Sequence, residues 1–467
     1  MIFHDNGQNN TDRRIGGTDM ITVLIPIVVL FVLVLAPIPL LKKNVGLAFL
    51  ATALVAVLLS GTGLNAFLNG AIKGVDGISW VLFLIVFASI YTQSQFTLGS
   101  VETVLNLFRS IFGKSTKGLI TAILLSLVFA GSIIGSATAS AVVIGVLVIP
   151  VLNEAKVTPN KIGAILLLGA IIGSIMPPIT QAVFLSSSLL KVNMDPVVNM
   201  TYFTAGIGTL IALFFCRRFA DVDRLPPELI PDRKPGKILA EEWPLLIPVL
   251  VFAALVFLRA FNIDLLKPTD FIWDVFKKTP IIRAFTNRFV QSIIIATIIG
   301  MFYPKVLKSA NVWIAKGLHA VAKPSFALIS AGIMIGAFQA SGMIDKIIEF
   351  AKTLSPAAIK FGSGGSLLLM GMLTGSQSTT QSSLVPLVGP ILVNAAGVDP
   401  TDAALGLSHL AMAGQSFPPV CLLSIMLAGM VSSAVGKDSD AVKIMMLSFP
   451  VTFYFTVIGF LALFGVI

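Results

Sequence analysis

One long pattern occurs twice in this chain, and it constrains the fold more than any single residue does. Residues 135–178 begin GSATASAVVIGVLVIP and end VTPNKIGAILLLGAIIGSIMPP; residues 375–419 begin GSQSTTQSSLVPLVGP and end VDPTDAALGLSHLAMAGQSFPP. Gly135, Ser136 and Pro150 match Gly375, Ser376 and Pro390 at an offset of 240. Pro159, Gly173, Pro177 and Pro178 match Pro400, Gly414, Pro418 and Pro419 at 241, so one inserted residue separates the two blocks. Sparser matches carry the repeat upstream at 243: Lys73 and Gly74 with Lys316 and Gly317, Gly99 with Gly342, Glu102 with Asp345. Punctuation kept in order over such a length predicts two structural units of one design.

Both units sit in apolar sequence. Apolar residues make up 56% of the chain and charged residues 12%, against about 25% charge in soluble domains. Stretches near the spanning length recur around 21–41, 44–60, 80–98, 119–134, 161–190, 200–217, 243–263, 289–304, 325–342, 366–395, 403–432 and 444–467. With the broken ones allowed for, about eleven to thirteen membrane elements are expected. Alternating ten-residue strands are absent, so the chain reads as an all-α polytopic bundle and not a barrel. Cys216 and Cys421 lie in apolar surroundings and indicate neither a disulfide framework nor a metal site. The net charge of +10 is spread over short loops, which suits a lipid bilayer and argues against nucleic acid as a partner.

The chain divides accordingly. Residues 1–20 read as a polar tail ahead of an uncleaved signal-anchor helix, and 21–216 as a first membrane half holding the first repeat. Residues 217–242, with six basic and six acidic side chains, form a solvated connector. Linking helices and a loop occupy 243–304, and 305–467 form the second half. Basic clusters at 217–237 and 267–288 flank one span and leave the orientation undecided. In 305–323, Val306, Leu307, Trp313, Ile314, Leu318 and Val321 share one helical face, and Lys305, Lys308, Lys316, His319 and Lys323 the other. That pattern predicts an interfacial helix in the headgroup plane.

Each repeat carries two polar elements. The first is a hydroxyl cluster opened by glycine and followed by proline: Ser136, Thr138 and Ser140, then Ser376, Ser378, Thr379 and Thr380. Glycine favours turns and proline interrupts the helical ladder, so the segment is expected to fold back as a helical hairpin with carbonyls free at its tip. Such carbonyls are tolerated at membrane depth only where protein, water or an ion satisfies them, and with the hydroxyls they would suit sodium. The second element is the proline pair, Pro177 with Pro178 and Pro418 with Pro419, which should split a helix and expose half-helix ends of opposite sign. Gln181 and Ser186 to Ser188 follow the first break; Gln415 and Ser416 precede the second. Small hydroxyl residues in membrane helices also serve plain packing. Both elements, in one order in two halves, favour a shared binding centre of the kind found in secondary transporters.

Ionisable groups at depth are few. His409, in the apolar run before Pro418, is the candidate for proton linkage, with a packing role as the alternative. No nucleotide-binding loop or converging catalytic set is present, and the chain reads as a non-enzyme that needs no cofactor beyond a coupling ion.

On these motifs the chain resembles the large membrane subunit of the TRAP (tripartite ATP-independent periplasmic) transporters, the DctM-like family. The residues that carry the resemblance are the hairpin at 135–140, IMPP at 175–178, GSQSTTQ at 375–381 and FPPV at 417–420. The resemblance implies two inverted repeats, each with a hairpin and a discontinuous helix, in a transport domain that moves elevator-fashion in the bacterial inner membrane. It implies sodium-coupled import of a carboxylate, with a small four-helix membrane subunit and a periplasmic substrate-binding protein. Sodium would fall at Gly135, Ser136, Thr138, Gly375, Ser376, Thr379 and Thr380, with Gly173 and Gly414 beside the prolines. The 305–323 helix would be an in-plane arm of the scaffold. Gln377 and Ser378 depart from the glycine and proline expected before the paired threonines, and residues 264–288 look enlarged. A single-component sodium- or proton-coupled carrier of related architecture is the nearest alternative; a passive channel, a membrane scaffold or an enzyme lies further off.

Overall fold

A computed structural model describes residues 17–35, 45–222, 224–259 and 263–467. The polar tail at 1–16 and the end of the first apolar stretch at 36–44 lie outside the described residues. Among the described residues there is no strand; eight helices are long and apolar enough to cross a membrane, and six shorter apolar ones accompany them.

Two helices, α1 (Gly17–Leu35) and α2 (Val45–Ser60), precede the first repeat. That repeat comprises α3 (Leu64–Leu98), α4 (Ser100–Phe112), α5 (Thr116–Ile134), α6 (Ala137–Glu154), α7 (Pro159–Ile175), α8 (Gln181–Leu190) and α9 (Met194–Cys216). The middle of the chain holds α10 (Pro235–Glu242), α11 (Ile247–Arg259), the short α12 (Asp270–Trp273), α13 (Arg288–Met301) and α14 (Pro304–Lys308). The second repeat then runs through α15 (Ala310–Ala340), α16 (Met343–Ala351), α17 (Pro356–Thr374), α18 (Gln377–Asn394), α19 (Pro400–Gly414), α20 (Leu422–Val435) and α21 (Ala441–Leu463). Each helix of the first repeat thus has its counterpart in the second.

Helix contacts fix how the repeats are related. The half-helix α7 packs on α20, and α8 packs on α19, so the two broken helices run antiparallel. The long helices α3 and α15 do the same: Gly70 meets Gly336, Gly74 meets Gly332, and Ile90 meets Gly317. A two-fold axis that makes spanning helices antiparallel lies across them, in the membrane plane, and the repeats are therefore inverted. The upstream sequence matches now have causes. A Cβ on Gly74 would come 2.0 Å from the Gly332 carbonyl oxygen, and one on Gly317 would come 2.8 Å from Ile90 Cα. Only glycine permits this crossing at its two equivalent points. Gly99 and Gly342 turn the chain with positive φ, and Glu102 and Asp345 then occupy the first turns of α4 and α16, where a carboxylate opposes the helix dipole favourably.

The core lies where the broken helices meet. Every residue of α7 from Ile162 to Ile175 is buried, as is every residue of α19 from Ala403 to Gly414. The connector is tied down at several points. Arg233 pairs with Glu241 and Glu242 at 2.6 Å, Thr103 donates to Glu242 at 2.8 Å, and Lys161 reaches Asp221 at 2.5 Å. Farther along, Arg288 bonds Asp264 and Asp270 at 2.8 and 2.6 Å and holds the Asp270 carboxyl below its usual range.

Two expectations need correction. Residues 305–323 are not a separate helix: α14 is short, and α15 continues through Pro324 to Ala340. Proline removes one amide donor, but the glycine-mediated seam with α3 holds the rest of the helix in line. The apolar face assigned to that segment is split, with Val306 and Trp313 buried and Leu307 and Leu318 about half exposed. The short amphipathic helices are instead α4 and α16, directly after the turn glycines. Pro150 and Pro390, for their part, sit inside α6 and α18 and do not form the hairpin turns.

Candidate functional site

Two residues make each hairpin turn. Gly135 (φ 67°, ψ 11°) ends α5, and extended Ser136 caps α6 by accepting a hydrogen bond from the Ala139 amide at 3.4 Å. Gly375 (φ 60°, ψ 22°) and Ser376, accepting from the Thr379 amide at 3.4 Å, repeat this at the second turn. A left-handed residue followed by an N-cap explains why Gly-Ser stands at both positions. The tip carbonyls are partly satisfied: Gly131 and Gly371 accept from the turn glycines at 2.7 and 2.8 Å, and Ser132 accepts from Ile179 at 2.8 Å.

The breaks are equally alike. Pro177–Pro178 and Pro418–Pro419 are both cis, and the helices restart with Thr180 and Cys421 as N-caps that accept from Val183 and Ser424. Hairpins seat on broken helices by backbone contact. A Cβ on Gly131 would come 2.7 Å from Gly173 Cα, and one on Gly371 would come 2.7 Å from Gly414 Cα.

These turns and breaks bring helix ends to one place. A cavity of about 710 Å³ is lined by the first turns of α6, α8, α18 and α20 and by residues at the ends of α5, α7, α17 and α19. Helix N-termini favour anions, and C-terminal carbonyls with nearby hydroxyls favour cations, so the cavity can hold both. Its far wall comes from α2, α3 and α15 and is largely apolar, with Phe49, Leu84, Phe96 and Leu328. Lys323 is the one ionisable side chain among the described residues that line the cavity.

Of the residues read from sequence, Gly135, Ser136, Thr138, Gln181, Gly375, Ser376, Ser378, Thr379 and Gln415 line this cavity. The others do not. Thr380 is buried and bonds the Ser376 carbonyl at 2.9 Å and the Thr374 hydroxyl at 3.2 Å. Gly173 and Gly414 are taken up by the hairpin seats, and Ser416 bonds back to Met412 at 3.3 Å. Pro177, Pro178, Pro418 and Pro419 shape the breaks from outside the cavity lining. His409 is wholly buried and also apart from the cavity, with Nδ1 at 2.9 Å from the Leu405 carbonyl and Nε2 at 2.8 Å from the Thr204 hydroxyl. A carbonyl only accepts, so Nδ1 carries the proton and Nε2 can accept from Thr204. Both ring nitrogens thus have a partner in the core.

Sequence reasoning missed an amide chain. Gln415 Oε1 accepts from the Gln377 amide at 3.1 Å, and Gln377 Nε2 donates to Gln381 Oε1 at 3.2 Å. Gln381 Nε2 then donates at 2.7 Å to both the Ala182 carbonyl and the Ser186 hydroxyl, in the other repeat. Glutamines in a segment otherwise read as hydroxyl-rich were the available signal. Thr92 and Gln93, in the polar run TQSQ of α3, also line the cavity and were visible as polar residues in an apolar helix.

Comparison with known proteins agrees with this architecture. No curated protein matches the chain in sequence. Among solved structures, the Alcanivorax borkumensis YdaH transporter is similar in fold, with a TM-score of 0.59, 16% identity, and coverage of 96% of this chain and 98% of that one. MtrF of Neisseria gonorrhoeae, described among antimetabolite efflux pumps, matches with a TM-score of 0.59, 13% identity, and coverage of 95% and 94%. At these identities the likeness is one of fold. The family model described as "Tripartite ATP-independent periplasmic transporter, DctM component" matches residues 27–467, nearly the whole chain. The chain is a multi-pass membrane protein of the DctM family, the large membrane component of tripartite ATP-independent periplasmic transporters.

Proposed function

We propose that this protein imports an organic anion, a carboxylate, coupled to sodium, from the periplasm across a bacterial inner membrane. One observation carries the reading: two hydroxyl-bearing hairpin tips and four helix N-termini share a cavity whose described lining has a lysine and no carboxylate. Sodium would bind among hydroxyl and carbonyl oxygens at the tips, with Ser136 and Thr138 on one side and Ser376 and Thr379 on the other. Its charge would complete an anion site facing the helix N-termini. The hairpins and broken helices would move together against α2, α3 and α15 as an elevator. A small four-helix membrane subunit and a periplasmic binding protein would deliver the anion, as the family's tripartite nature suggests.

A second reading is a carrier that works without partners. The fold likeness to YdaH and MtrF over nearly the full chain favours keeping it, and MtrF's description as an efflux pump keeps the direction of transport open to test. Uptake of labelled carboxylates into proteoliposomes holding the chain alone or together with a small four-helix membrane subunit, with an inward sodium gradient and with or without added binding protein, separates the readings. Sodium-driven uptake that requires the binding protein supports the tripartite reading. Uptake by the chain alone supports the second, and no sodium-driven flux of any carboxylate contradicts both.

A further inference from the structure

We infer that Lys323 receives the carboxylate of the transported anion from the wall opposite the hairpins; this deepens the anion-import reading and rests on it. Lys323 projects from α15 and is exposed within the cavity lining. No carboxylate of the described residues pairs with it, and it is the one cation in the described cavity lining. An ammonium group at the edge of apolar walls is costly unless water or an anion answers it. Phe49, Leu84, Phe96 and Leu328 lower the local polarity, which strengthens its attraction for a negative charge.

Local backbone supports the placement. Pro324 has no amide hydrogen for the Ala320 carbonyl, and Ala320, Lys323 and Pro324 all line the cavity; a carbonyl oxygen is itself partly negative, so of these three residues only the lysine can attract an anion. The repeat makes the charge one-sided. At the offset of 243 the counterpart of Lys323 is Trp80, which packs edge-on against Phe184 at 5.9 Å between centroids. Trp80 is not part of the cavity lining, so the cation is contributed by one half only. Because Lys323 sits on the long helix and not on a hairpin, it would engage the anion only while the hairpins face it.

The test uses the full chain and a panel of succinate, malonate, pyruvate and benzoate, with thermal stability in sodium chloride as the readout. Wild-type protein is expected to be stabilised by at least one panel member. Lys323→Gln should raise its half-saturating concentration ten-fold or more, and Lys323→Arg should stay within about three-fold. The half-saturating sodium concentration should stay the same in all three proteins, since the ion sites lie on the other wall. Lys323→Cys adds a rescue: an aminoethyl thiosulfonate restores a cation and should restore carboxylate stabilisation, and a sulfonatoethyl reagent should not. Cys216 and Cys421 are buried and do not compete for reagent. Unchanged carboxylate affinity in Lys323→Gln overturns the assignment while leaving anion import standing. A wild-type protein that responds to sodium but to no carboxylate overturns the lysine's role, and indifference to both sodium and carboxylates overturns the broader reading.

Discussion

The two hairpin tips share a backbone and differ in almost every side chain that follows the turn. Ala137, Thr138, Ala139, Ser140 and Ala141 in the first stand where Gln377, Ser378, Thr379, Thr380 and Gln381 stand in the second. Both tips have the same left-handed glycine, the same capping serine and the same backbone seat on a broken helix. The first tip's Ser140 bonds only within its own helix, to Ala137 at 3.1 Å. The second tip is stitched through Gln377 to Gln415 and through Gln381 to α8 of the other repeat. Duplication thus accounts for the frame, and the chemistry of the site comes from side chains that the halves do not share.

The largest effects should come from the shared frame. Gly131→Leu and Gly371→Leu each drive a side chain into backbone, a clash that costs at least the ~1–3 kcal/mol typical of overpacking. Both should abolish monodisperse protein in size-exclusion chromatography, and tolerance at only one would break the equivalence of the seats. Next comes Gln381→Leu, which removes the cross-repeat donor and leaves the buried Ala182 carbonyl and Ser186 hydroxyl short of a partner. A destabilisation of about 1–3 kcal/mol is expected, read as a lower melting temperature. No loss would show the stitch to be inert.

A smaller contrast should appear in dynamics. Amide exchange at residues 135–141 should be faster than at 375–381, because Gln377 and Gln381 bond to other elements and no described residue of 135–141 does. Equal rates would remove the functional meaning of the asymmetry. The smallest effect concerns His409. Since it is satisfied in the core, His409→Gln should leave the pH profile of uptake between about pH 6 and 8 unchanged. A shifted profile would return it to the proton-coupling role.

Much of the fold was legible because repeats leave punctuation. Gly135, Gly375 and the proline pairs marked turns and breaks through backbone constraints that any membrane helix obeys, and Gly74 with Gly317 extended the repeat, while the crossing they make shows only in the contacts of α3 with α15. Amphipathic spacing was a weaker guide. It marked 305–323, where the contacts of α15 with α3 override the pattern, and the true short amphipathic helices followed Gly99 and Gly342. Within the site, the hydroxyls of Ser136, Thr138, Ser376 and Thr379 were readable as cavity residues. Gly173, Gly414 and Thr380 lie outside the cavity lining, and in sequence a glycine that seats a hairpin looks like one that faces a cavity. Lys323 was hidden because a lysine beside other lysines reads as headgroup-facing until the opposite helices are in place.

The most direct test of the account is the melting temperature of the purified protein in sodium, lithium, potassium and choline chlorides at one ionic strength. The account predicts stabilisation selective for sodium, since a ligand of the folded state raises stability by mass action. It further predicts that Ser136→Ala with Thr138→Val, and separately Ser376→Ala with Thr379→Val, weaken that response. A melting temperature indifferent to the cation in the wild-type protein would contradict sodium binding at the hairpin tips.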